Sequence, residues 1–91
     1  MATNEQVSSQ LVDEAIDAYV DWQEERAHVW DAYARWESAE KGDASCAFSA
    51  YGAALDREEH ASRVYAARVA EVTVAGAQLE PVASIRRLLP W

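Results

Sequence analysis

The chain has 91 residues, a formal net charge of −8, 51% hydrophobic residues, three glycines and two prolines. A chain of this length makes one domain with a modest core, which oligomerisation often supplements. The negative excess excludes a phosphate-backbone binder, which needs clustered Lys and Arg, and fits solubility or a basic protein partner. Residues 1–41 hold ten acids and three bases, and residues 42–91 hold six and five. No run approaches the ~18 apolar residues of a membrane span, and "MATNEQVSSQ" lacks the basic-then-apolar order of a signal peptide. A cytoplasmic location is therefore expected. Cys46 is the one cysteine, so neither an internal disulfide framework nor a thiolate metal cluster is available within one chain.

From Thr3 to about Lys41 there is no Gly or Pro, and this stretch reads as one long helix, about 4–41, capped by Thr3 with Gln6 three residues on. "KGDAS" supplies a stop at Gly42 and a new N-cap at Asp43 or Ser45. A second helix is expected over about 44–77, weakened by Gly52, Gly76 and the β-branched "VTV" at 72–74. Two helices, each on the order of 50 Å and joined by so short a turn, must run antiparallel. Residues 1–79 thus form a hairpin unit. In residues 80–91, Pro81 can open a short amphipathic C-terminal helix that puts Val82, Ile85, Leu88 and Leu89 on one face and ends at Pro90.

Steps of about 100° around helix 1 gather Leu11, Val12, Ala15, Ile16, Tyr19, Trp22, Val29, Trp30, Tyr33 and Trp36 into a wide apolar arc. Opposite lie Asp13, Glu14, Asp17, Asp21, Glu24, Glu25, His28, Asp31 and Arg35. The stripe of helix 2 is Phe48, Tyr51, Leu55, Ser62, Tyr65, Val69 and Val72, with His60 on the other side. Both histidines are expected to face outward. Arg26 and Glu58 fall inside the apolar arcs, and a hairpin turning at Gly42 and Asp43 pairs residues whose numbers sum to about 85. An inward Arg26–Glu58 ion pair follows, since a lone buried charge is costly and a guanidinium satisfies a carboxylate bidentately.

The apolar arc of helix 1 spans roughly 200°, against the ~100° that one partner helix covers. The remainder needs the C-terminal helix, a second hairpin in a four-helix bundle, or a foreign partner. The expected interface holds Tyr19, Trp22, Trp30, Tyr33, Trp36, Phe48, Tyr51 and Tyr65, joined by Ile85, Leu88 and Leu89.

Metal chemistry has one foothold, Glu25 and His28 in "ERAH", a Glu-x-x-His spacing used by ferritin-like carboxylate sites. Glu59 and His60 in "DREEH" complete the candidate set. "DREEH" is similar to the acidic stretch of encapsulated ferritins, small antiparallel hairpins that complete their site by dimerisation, but Arg57 stands where helix 2 would need its Glu. "ASIRRL", residues 83–88, loosely resembles the cargo-loading peptides of those proteins, and here it is followed by "LPW". The hairpin also looks superficially like small secreted WXG-type proteins, whose Trp-x-Gly turn is absent here: Trp36 is followed by "ESAEKG". "AYGAALDREEHASRVYA", residues 50–66, resembles small uncharacterised helical proteins of actinobacteria, a resemblance that implies a lineage and no chemistry.

No Gly-rich phosphate loop, nucleophile elbow or Ser–His–Asp set is present, so no catalytic residue and no cofactor are assigned. The fold expected is all-α, an antiparallel helical hairpin plus a short C-terminal helix, dimerising into a four-helix bundle. The function expected is a non-enzymatic interaction or assembly module. It would act as a homodimer or as an adaptor that meets a protein partner through its acidic face or C-terminal helix, with no nucleic acid or membrane partner. The alternatives are a ferritin-like metal-binding hairpin and an acidic phage-type inhibitor that mimics nucleic acid.

Overall fold

The computed structural model describes residues 4–79, with side chains described over residues 6–76. It is a hairpin of two long antiparallel helices, α1 (Asn4–Ser38) and α2 (Ala44–Leu79), of 35 and 36 residues. The expected Thr3 cap and C-terminal helix, with Ile85, Leu88 and Leu89, lie outside the described residues. Among those described, no helix is long and apolar enough to cross a membrane.

The turn differs from the sequence expectation in one respect. α1 stops at Ser38 rather than continuing to about Lys41. Ser38 Oγ donates to the Ala34 carbonyl at 2.9 Å, and the Ala39 amide bonds the Trp36 carbonyl at 3.2 Å, so the last turn tightens and unwinds early. A tight turn follows, closed by the Asp43 amide on the Glu40 carbonyl at 2.8 Å. The Asp43 carbonyl then accepts from the Ala47 amide at 3.0 Å, which puts Asp43 at the N-cap position of α2. No described glycine has a positive φ, so the turn does not use the left-handed freedom of Gly42.

The two helices meet along a regular seam. In α1 and its exit, Ser8, Leu11, Ala15, Ala18, Trp22, Glu25, Val29, Ala32, Trp36 and Ala39 are all buried or half-buried. In α2 the same holds for Ala44, Ala47, Tyr51, Ala54, Glu58, Ala61, Tyr65, Arg68, Val72 and Ala75. These positions recur at alternating intervals of three and four, the pattern that keeps one stripe of each helix against its neighbour along its whole length.

Each stripe has two columns of different size. One is mostly alanine, with Ala18 and Ala32 against Ala47, Ala54, Ala61 and Ala75. The other is bulky, with Trp22, Val29 and Trp36 against Tyr51, Tyr65 and Val72. Among the described residues only Ala18 and Ala54 are buried, at 6% and 0% exposure. Burying one methyl contributes on the order of 1 kcal/mol, so the alanine side brings the backbones together without making much of a core. The apolar mass sits on the other side of the seam, half in water.

Candidate interaction surface

The bulky column and the residues beside it form an aromatic flank with two clusters. Near the turn, Trp36 stacks on Tyr51 with centroids 5.5 Å apart and planes 17° apart, and lies 5.0 Å from Phe48. Tyr33 packs on Tyr51 at 5.6 Å and edge-on to Trp30 at 6.4 Å and Trp36 at 6.1 Å. Toward the open end, Trp22 stacks on Tyr65 at 5.5 Å, and Tyr19 meets both rings edge-on. Such pairs contribute about 0.5–1.5 kcal/mol each beyond area burial. The expected interface residues Tyr19, Trp22, Trp30, Tyr33, Trp36, Phe48, Tyr51 and Tyr65 are thus gathered on one flank.

Much of that flank is bare. Trp30 is 67% exposed, Ile16 55% and Phe48 54%, with Val12, Tyr19, Tyr33, Leu55 and Val69 also exposed. Exposed apolar residues scattered singly are ordinary, whereas here they gather on one flank of both helices.

Between the clusters lies a polar belt, and here the expected ion pair is replaced by a relay. Glu58 is half-buried as expected, but its Oε1 accepts the Trp22 indole N–H at 2.9 Å. Arg26 is exposed, its guanidinium 5.6 Å over the Trp22 ring and its Nη1 donating to Gln23 Oε1 at 3.4 Å. The expected Arg26–Glu58 contact is not among the ion pairs of the described residues. Trp22 stands between the two charges, satisfying the acid with its N–H and the cation with its π-face.

The opposite flank is acidic. A groove beside the alanine column is lined by Ala18, Asp21, Glu24, Glu25, Asp56, Arg57, His60, Ala61 and Val64. Two acids expected to point away from the hairpin instead reach across it. Glu25 Oε2 meets Arg57 Nε at 3.3 Å, and Glu14 Oε2 lies 3.9 Å from Arg68 Nη1. The cause is the three-four repeat, which puts Glu25 in the seam and Glu14 beside it.

His28 and His60 are both exposed, as expected. His28 Nδ1 lies 3.4 Å from Glu25 Oε2 on the same helix. Glu59 pairs with Arg63 one turn on. The candidate metal set Glu25, His28, Glu59 and His60 is therefore not brought together. Among the described residues no three His, Cys, Asp or Glu side chains are placed to hold a metal ion.

Sequence reasoning missed the alanine column and the Glu25–Arg57 and Glu14–Arg68 crossings. The signal was present in the recurrence of alanine at multiples of seven, at 18, 32 and 39 and at 47, 54, 61 and 75, overshadowed by the larger aromatic residues next to it. Comparison with family models, with curated proteins and with solved structures finds no match to this chain.

Proposed function

We propose that the protein is a non-enzymatic assembly module, a helical hairpin that associates through its aromatic flank, with a second hairpin completing a four-helix bundle. The observation that carries this reading is the contrast between a core of two buried alanines among the described residues and large apolar side chains left exposed on one flank, on either side of its polar belt. Taking about 150–250 Å² for each large side chain, the exposed parts of the flank come to roughly 700 Å². A stable interface needs about 800 Å² per partner.

The reading implies a dimer at micromolar concentration, which light scattering after gel filtration or sedimentation equilibrium measures. Trp30→Glu puts an unpaired charge on the aromatic flank and is expected to cost about 2 kcal/mol of association, roughly thirtyfold in Kd. Because Trp30 is largely exposed in the single hairpin, its far-UV circular dichroism per residue should hardly change. A wild-type protein that stays monomeric at 100-fold higher loading, or a Trp30→Glu protein that dimerises undiminished, overturns the proposal.

A further inference from the structure

The aromatic flank fits a second copy of itself in only one of two orientations. Two hairpins can stack flank to flank with their turns at the same end, α1 over α2 of the second copy, or with turns at opposite ends, α1 over α1 and α2 over α2. Resting on the assembly reading above, we infer that the hairpins stack turn to turn, with Arg26 of each seated between Glu58 and Glu59 of the other.

Charge decides first. Tyr19 faces Tyr65 and Tyr33 faces Tyr51 across the hairpin, so Arg26 lies level with Glu58 and Glu59. With turns together, the Arg26 level of α1 falls on the Glu58 level of the opposing α2, and unlike charges meet twice, once on each side of the two-fold axis. With turns opposed, the polar belts coincide as Arg26 near Arg26 and Glu58 and Glu59 near their own copies. Like charges facing each other across an interface select against that arrangement. Arg26 is well placed for the first role, because Trp22 already holds its guanidinium on the flank.

Side-chain size decides the same way. Along the outer edge of the flank α1 carries Ile16 and Trp30, both more than half exposed. At matching levels the outer edge of α2 carries Ala66 and Gly52. Turn-to-turn stacking lays Trp30 against Gly52 and Ile16 against Ala66, large into small at both of these levels, whereas the opposed arrangement sets α1's bulky edge against itself. Nothing in the single hairpin calls for glycine at 52: no atom lies within 4 Å of where a Cβ would sit, and φ is not positive. A glycine inside a helix is disfavoured relative to alanine, and close approach of a large side chain from a second copy gives it a use.

The other candidate cover, residues 80–91, does not reach. α2 runs from Phe48 toward Leu79 over a span of about 46 Å at helical rise. Residues 80–91 extend to about 40 Å when fully stretched and about 18 Å when helical. The Phe48 end of the flank, beside the turn, therefore needs an occupant from outside that segment.

Cys46 tests the orientation without any substitution, because it is exposed, lies near the turn and sits by Ala32, Arg35 and Ala50, away from the aromatic flank. A nitroxide attached to it in the full chain should give a pulsed electron–electron distance of about 30 Å for turn-to-turn stacking and about 50 Å for the opposed form. The expected result is a dimer with the short distance, together with a Gly52→Leu protein that keeps its helix content and loses dimerisation at least tenfold. A dimer with the long distance, or one undisturbed by Gly52→Leu, overturns the orientation and leaves the assembly reading standing. A monomer at all concentrations overturns both, and points to a different protein, or to residues 80–91 at the open end, as the cover.

Discussion

Trp22 donates its indole N–H to Glu58, lays its face under Arg26 and stacks on Tyr65, so one side chain ties the seam to the polar belt. Glu58 is half-buried, and its carboxylate needs a donor to offset lost hydration. Trp22→Phe keeps an aromatic ring against Tyr65 but removes that donor. It is expected to cost about 1–2 kcal/mol in urea unfolding, while Glu58→Gln, which still accepts the bond, should cost distinctly less. Equal losses would show that the charge of the Glu58 carboxylate, rather than the hydrogen bond, accounts for the site. The Glu25–Arg57 crossing is of another kind, since the Arg57 side chain is 55% exposed and the Glu25 side chain 25%. Arg57→Ala should cost under about 1 kcal/mol, fading further in molar salt. A loss that ignores salt would mean that the pair is more sheltered than its exposure implies.

At the scale of the helix, the seam is a compromise between close approach and burial. Small residues at Ala18, Ala54 and Ala61 bring the two backbones together, and the bulky column beside them is left to pack half in water. Ala54 has no exposed surface at all. Ala54→Leu should therefore push the helices apart and cost about 1–3 kcal/mol in thermal or urea unfolding. Ala53→Leu, one residue earlier and exposed, should stay within about 0.5 kcal/mol of the parent. If both cost the same, the alanine column does not set the helix separation. The existence of both helices was legible because Gly and Pro are absent between Thr3 and Lys41 and because "KGDAS" punctuates the chain. The packing direction was less legible. The apolar arc of α1 merges the seam with the exposed flank, so its centre points between them, and Arg26 at that centre is on the surface while Glu25, outside the arc, is in the seam.

At the scale of the molecule, the hairpin is two-sided, aromatic on one flank and acidic on the other. The acidic groove around Asp21, Glu24 and Asp56 would remain in water when two aromatic flanks meet, so assembly through one side leaves the other free. The first-half charge excess read from composition thus has a location, Asp13, Asp17, Asp21 and Glu24 along the exposed side of α1. Assembly through the aromatic flank would be mainly a hydrophobic association, so raising salt from 0.05 to about 1 M should leave the proposed dimer largely intact while screening the Arg26 contacts. Dissociation in salt, followed by sedimentation, would show that charge pairs rather than apolar burial hold the copies together.

The sequence by itself determined the helices, the antiparallel turn at Asp43, the outward histidines and the gathering of aromatic residues, because each follows from local propensity or from spacing along one helix. Only the tertiary structure decided which stripe is the seam, that alanine rather than tryptophan fills its closest column, and that Trp22 separates Arg26 from Glu58. Those depend on the three-four register between two helices. A shift of half a turn there exchanges seam for surface while every local signal stays the same.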